Sequence, residues 1–441
     1  MPLVKPKVEI FFDLDGTGAD VFTLDDPNKG VLDGSTFALG GNVLIDGGEP
    51  VDVSSRVFGL STQRGRSSEL TEIPPGRLTV MLRNFDAAFT PANPASPFFG
   101  KVVPGKRVRV SIGPTIFDGV IEDWNLVYGS RGEASASLTA VDSLGRLGRT
   151  TLEWHVGEDG VLAGERINSI LDRDEVGFGA NRDIDRGVSE LRDDFVSPNT
   201  NALTYLNLVA RSDQGRLFAS RSNLLTFRDR HSTINAEPLV WFGRPPGTPV
   251  TAQDTTPLLD EEGFPILDEF GRRGLVFRTA TPDYGSERLY NYVTANCVGG
   301  EPQVASDPDS IRSYGQRSMN LDDLILKACA EARNLAEYNV RQYAQPRERI
   351  STLQVPSAAL SEAQAARVSA LDIGDVVAVS WTPRGSPVAY SQTLVIEGID
   401  HTVTVSGEHI VDLSMFALDQ RSFFVLDDSG LGVLDSNALA F

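Results

Sequence analysis

The sequence predicts a mainly β chain with an α+β insertion, and three observations carry that prediction. Turn formers are dense: 41 Gly and 25 Pro occur in 441 residues, and turn signals recur roughly every eight to twelve positions, as between short strands. Apolar and polar residues alternate in several windows, the period of a half-buried strand. Helical periodicity is confined to the middle third.

The first window, residues 8–17, reads VEIFFDLDGT. An apolar run before Asp13-x-Asp15 resembles the first motif of the haloacid dehalogenase phosphatases, where the first Asp attacks phosphate and the second moves a proton. That fold would need a parallel α/β sheet, and a Lys opening a helix. Residues 18–60 carry Gly, Asp and Pro in every short window, and neither Lys106 nor Lys327 stands in the required place. A calcium loop from Asp13 also fails, because Leu24 stands where the terminal Glu belongs. Asp13 and Asp15 therefore read as a strand running into a turn.

Strands follow where Leu78, Val80 and Leu82 alternate with Thr79, Met81 and Arg83, and where Val108, Val110 and Ile112 alternate with Arg107, Arg109 and Ser111. Helical spacing is read over 165–172, 201–211 and 321–343, the last capped by Asn320 with Asp322 and Asp323 in its first turn. Residues 244–272, rich in Pro, Gly and acids, form a long excursion. Val411, Leu413 and Met415 mark a strand near the C-terminus. The resulting layout is an arm over 1–50, a β region over 51–152, an α+β region over 153–345, a second β region over 346–420 and an arm over 421–441.

Each arm holds a similar acidic hairpin. Asp25, Asp26 and Asp33 lie between apolar residues in FTLDDPNKGVLD, and Asp427, Asp428 and Asp435 do so in FVLDDSGLGVLD. A looser copy begins at Leu259. Acids that bond turn backbone, a Gly turn and two apolar arms describe a small hairpin; docking between subunits or gathering calcium are the functional alternatives to an ordinary exposed hairpin.

Composition narrows the function classes. A net charge of -20 opposes stable nucleic-acid binding, which needs Lys and Arg to displace phosphate counterions. Only six of the 40 basic residues are Lys, a bias that suits interfaces, where guanidinium forks pair with carboxylates. No membrane span or signal-peptide core is evident, which places synthesis and assembly in the cytoplasm. The two cysteines, Cys297 and Cys329, read as reduced and buried. The four tryptophans, Trp124, Trp154, Trp241 and Trp381, read mostly as core.

Histidines 401 and 409 flank a turn and raise the question of a metal. With Val403 and Val411 on one face, the loop is Ser406-Gly407-Glu408, His409 faces Val405 and His401 faces Leu413. The rings then lie about 13 Å apart at ~3.3 Å per residue, too far for one Zn²⁺ with ~2 Å bonds. No catalytic, cofactor or metal constellation assembles from the motifs.

From Thr62 the chain reads TQRGRSSELTEIPPGRLTVMLRNFDAAFTPANPASPFFGKVVPGKRVRVSIGPTIFDGVIEDWNLVYG, preceded by VFTLDDPNKGVLDGSTFALGG. Together with AGERINSILDR, GRLFASRSNLLTFRDR, ERLYNYVTANCVGG, SIRSYGQRS and LDIGDVVAVSW, this order of motifs resembles minor tail proteins of long, non-contractile-tailed bacteriophages, especially those infecting actinobacteria. The likeness spans nearly the whole chain. It implies a tail-tip (baseplate) hub: two β-barrel-like tail-tube domains per subunit, a homotrimer forming a pseudo-sixfold ring, and an α+β insertion decorating it. PGKRVRVSIGPTIFDGVIEDW and IGDVVAVSW…LVIEGIDHTV share a strand–loop–strand phrase that fits a paired domain. The implied role is structural and non-enzymatic, without cofactor, in the virion at the tail tip, where the ring anchors neighbouring proteins during DNA delivery. Its partners would be itself, a distal tail protein, the tape-measure protein and other minor tail proteins. Arg64, Arg66, Arg107 and Arg109, with the six hairpin aspartates, are the candidate subunit-interface residues, and acidic charge is expected to line the channel or the outer face. Alternatives are a distal tail ring, a receptor-binding tip protein or, more remotely, a tail-associated cell-wall hydrolase.

Overall fold

The computed structural model describes residues 5–12, 50–129, 134–233, 236–243, 274–297, 301–347, 349–383 and 390–417. Asp13, Asp15, both acidic hairpin arms and the 244–272 excursion lie outside the described residues.

Alternating sequence becomes one 13-stranded sheet. Its strands are β1 (Lys7–Phe11), β2 (Val51–Asp52), β3 (Val57–Gly65), β4 (Arg77–Arg83), β5 (Arg107–Ser111), β6 (Thr115–Tyr128), β7 (Ala134–Val141), β8 (Val240–Gly243), β9 (Thr279–Asp283), β10 (Arg349–Pro356), β11 (Val376–Trp381), β12 (Tyr390–Val403) and β13 (His409–Ala417). Leu78, Val80 and Leu82 are fully buried, as are Val108, Val110, Val411 and Leu413. Burial of each such side chain favours the fold by about 1.5–3 kcal/mol, which is why the period-2 pattern fixes the inward face.

The same strand order occurs twice. The first set runs β1–β5–β6–β7–β4–β3 across the sheet, and the second runs β8–β11–β12–β13–β10–β9. Chain order matches as well, strand for strand. Each set centres on a strand of 14 residues, β6 or β12, and each central strand carries an irregularity, at Ile121/Asp123 and at Ile396/Gly398. One difference is that β1 pairs with β5 antiparallel, whereas β8 pairs with β11 parallel. Each set encloses its own apolar cluster. In particular β8 and β9, which the sequence reading left in the middle region, complete the second set. β1 sits in an antiparallel ladder, not at the head of the parallel α/β sheet that a phosphatase would require.

The helix-bearing region fills the connections between β7 and β8 and between β9 and β10, around a third cluster. Helix Ala163–Leu171 presents Ile167, Ile170 and Leu171 inward. Helix Ala202–Asp213 starts where Asn201 Oδ1 accepts the Thr204 amide at 3.1 Å and ends at a left-handed Gln214.

The third helix corrects the sequence expectation. Residues Ser318–Leu324 form a strand parallel to Tyr292–Cys297, and the helix spans Cys329–Tyr343. Asn320 therefore caps nothing; the N-cap is Ala328. Met319 and Leu321 are partly buried and alternate with exposed Asn320 and Asp322, and Leu324, three residues after Leu321, is buried as well, which is the spacing of a helix face. Asp323, at φ 60°, marks an irregularity inside the strand, before Leu324 pairs with Cys297. Cys329 is disulfide-bonded, not a reduced thiol; the backbone of Cys297 pairs with Leu324, bringing the two chain segments side by side.

Candidate functional site

The two strand sets meet along one seam, the antiparallel pairing of β3 with β12. Six residue pairs form it, from Gly398 opposite Gly65 to Val403 opposite Leu60. At the Gly65 end the chains approach closely: a Cβ on Gly65, whose φ is +84°, would stand 2.1 Å from the Glu397 carbonyl oxygen.

Buried charge gathers at this end. Glu397 accepts the Arg66 Nε–H at one oxygen and the Arg216 Nε–H at the other, each at 2.7 Å, and its side chain is buried. Burial pushes the Glu397 carboxyl up, but Arg216 and Arg66 outweigh it and hold the group below the usual range. Arg216 belongs to the hairpin of the helix-bearing region, so the triad ties that region to the seam. Nearby, buried Arg64 pairs with Asp372 and donates to the Ala219 carbonyl at 3.0 Å. Asp372 also accepts the Arg221 amide at 2.9 Å.

These contacts revise the interface residues expected from sequence. Arg64 is buried and Arg66 partly buried, and both are bound to carboxylates within the chain. Arg107 and Arg109 stay about one-third exposed, at 29% and 32% of side-chain area. Both donate Nε–H to buried Asp118, each at 2.9 Å, and lie over the Phe11 ring at 5.0 and 5.4 Å. The carboxylate fixes both guanidinium groups at the β1 edge.

The histidine geometry also differs from the expectation. His401 pairs with Val411 and His409 with Val403, so the loop is Val405-Ser406-Gly407, one residue earlier than predicted. Gly407 sets it: the Gly407 amide bonds the Thr404 carbonyl at 2.8 Å, closing a four-residue turn, and Gly407 takes the left-handed φ of 82° that favours glycine. Both rings consequently point to the same interior. They stack at 5.4 Å and 10°, His401 Nδ1 lies 3.1 Å from His409 Nε2, and His409 Nδ1 lies 2.6 Å from Ser357 Oγ. Serine, imidazole and a second imidazole in line have the composition of a nucleophile relay. All three are buried, so a substrate carbonyl has no approach, and the chain of bonds serves packing. Burial lowers both histidines, His409 to about 4. Among the described residues no group of three His, Cys, Asp or Glu side chains could hold a metal.

The outward face of the sheet is continuous across the seam. Register carries one row through Ile410, Thr402, Ser61, Thr79, Thr139 and Asp123. A neighbouring row runs from Gln354 through Asp412, Asp400 and Gln63 to Arg77. Asp400 and Asp412 are directly opposed; burial first and Asp412 second push Asp400 up to about 6. Gln354 Nε2 donates to Asp412 Oδ1 at 2.9 Å. These two rows are mostly polar, with three aspartates, Asp123, Asp400 and Asp412, and one cation, Arg77.

Trp154 departs from the core reading. It is 57% exposed and meets Phe195 edge-on at 6.0 Å, because it sits at an outward position beside the two-residue ladder that joins His155–Val156 to Phe195–Val196. Among the described residues no helix is long and apolar enough to cross a membrane.

No protein-family model and no curated protein matches the chain. Solved structures do. A tail protein from Neisseria meningitidis MC58 aligns with 85% of this chain and 94% of its own length, at 12% identity and a TM-score of 0.54. The 43 kDa tail protein of prophage MuSo2 from Shewanella oneidensis aligns with 84% of this chain and 96% of its own, at 13% identity and a TM-score of 0.51. The chain therefore has the fold of phage tail proteins.

Proposed function

We propose that the chain is a structural, non-enzymatic virion protein, a minor tail protein whose copies form the hub ring at a phage tail tip. The observation that carries this reading is the duplicated strand set: one chain supplies two similar six-strand units joined where β3 pairs with the C-terminal half of β12, so three copies would provide the six units of a pseudo-sixfold ring. The polar outward face fits a channel wall. Asp123, Asp400 and Asp412 repel phosphate, so DNA passes without being held. Arg107 and Arg109, fixed by Asp118, remain candidates for contact with a neighbouring copy or tail protein. The hairpin aspartates Asp25, Asp26, Asp33, Asp427, Asp428 and Asp435 keep the same proposed role. Distal tail, tape-measure and other minor tail proteins are the expected partners.

Light scattering on the purified full chain, followed by electron microscopy, tests the reading. The expected result is a trimer with a hollow centre. A monomer across all accessible concentrations, or a solid particle, overturns it.

A further inference from the structure

We infer that neighbouring copies join by repeating the internal seam: the free edge of β9 in one copy pairs antiparallel with the C-terminal half of β6 in the next. The inference rests on the proposal that the chain assembles into a ring, and it names the surfaces that close it.

Duplication supplies the argument. Strand β3 occupies in the first set the place of β9 in the second, and β12 occupies in the second the place of β6 in the first. Inside the chain, β3 is taken up by β12. The counterparts are left over. β9 pairs only with β10, and beyond its irregularity β6 pairs only with β7, among the described residues. Two unsatisfied edges, one on the terminal strand β9 and one along the C-terminal half of β6 beyond its pairing with β5, each the counterpart of an edge that mates with the other's type, form a head-to-tail contact that generates a ring when its rotation closes.

The exposed side chains agree. Val127 and Tyr128 on β6 are 58% and 57% exposed, and Tyr284, directly after β9, is 69% exposed. A bare edge flanked by large apolar groups is what folded proteins ordinarily cover. Register transfers as well. Asp123 corresponds to Gly398, both opposite equivalent residues of β7 and β13, so Val127 corresponds to Thr402 and Tyr128 to Val403. Through β4 and β10, Ser61 corresponds to Thr281 and Leu60 to Ala280. Since Thr402 faces Ser61 and Val403 faces Leu60, Val127 should face Thr281 of the next copy, and Tyr128 its Ala280.

Paired cysteines test this register in the full chain. One variant carries Val127→Cys with Thr281→Cys, the other Tyr128→Cys with Ala280→Cys. Adjacent antiparallel pairs alternate between wide and narrow spacing, so one of the two lies within disulfide reach. Oxidation should convert at least one variant into covalent dimers and trimers on a non-reducing gel. Neither single substitution alone, nor Val127→Cys with Thr352→Cys, should do so. Independently, Thr281→Lys should shift the native protein from trimer to monomer. An oligomer that no matched pair cross-links overturns the edge pairing and leaves assembly standing. A protein that sizes as a monomer overturns both.

Discussion

Arg216 donates its Nε–H to Glu397 at 2.7 Å across 181 residues of sequence, and the carboxylate it meets is buried between two guanidinium groups. A buried ion pair adds little relative to an apolar pair of the same shape, but removing one partner strands a charge in a dry site. Glu397→Ala leaves Arg66 and Arg216 unpaired beside the seam. It should cost about 3–5 kcal/mol in chemical denaturation. A variant replacing all three residues with apolar side chains should recover much of the loss; equal destabilisation of both would mean the triad acts through shape alone.

The stacked histidines should make the chain acid-sensitive. His409 titrates at about 4 in the folded state instead of 6.5, and His401 is also lowered. The unfolded chain then binds protons more readily, so the stability present above pH 6.5 is lost as pH falls towards 4. For His409 the loss by pH 4 is about 3 kcal/mol. His409→Asn, read by denaturant midpoints between pH 4 and 7, should flatten that dependence relative to the unaltered chain. An unchanged slope would show that the ring is not held neutral.

Asp400 should act with the opposite sign. Its folded value of about 6 lies above the ordinary 3.8, so the folded state binds the extra proton and stability falls as pH rises from about 4 to about 6. Asp400→Asn removes the repulsion from Asp412. Because the site is partly solvated, the gain at pH 7 should be only about 1 kcal/mol, and absent at pH 4. A loss of stability at pH 7 would show that the charge is used.

Individual strands were legible in the sequence because each has one wet and one dry face: Leu78, Val80 and Leu82 announce β4 without any knowledge of its neighbours. Pairing was not legible. Nothing near Ser61 marks Thr402 as its partner, and the contact is decided by backbone approach at Gly65 and Gly398 and by a triad drawn from three distant segments. Arg64 and Arg66 look like surface residues until Asp372 and Glu397 are brought to them. The histidines were misplaced by a one-residue shift of the turn, enough to move two rings from opposite ends of a ladder into contact. Leu321–Leu324 reads as helix because an irregularity in the strand buries Leu321 and Leu324 three residues apart, the spacing of a helix face. β8 and β9 carry too few residues, with too little alternation, to be assigned to either β region.

Gly65 offers the sharpest test of the seam itself. Its φ of +84° is strained for any L side chain, and a methyl there would meet the Glu397 carbonyl at 2.1 Å and Gly398 Cα at 2.7 Å. Both obstacles are backbone, so relief requires the two strand sets to separate locally. Gly65→Ala should therefore cost of order 3 kcal/mol. Gly100, also at positive φ but with open space around its Cβ position, is the control: Gly100→Ala carries the backbone strain alone and should cost only about 1 kcal/mol. Hydrogen exchange distinguishes the mechanisms, because opening of the seam should expose the amides of residues 60–65 and 398–403 while those at the centre of β4 and β7 stay protected. Equal costs for the two alanines would mean that close contact at the seam contributes nothing beyond local strain.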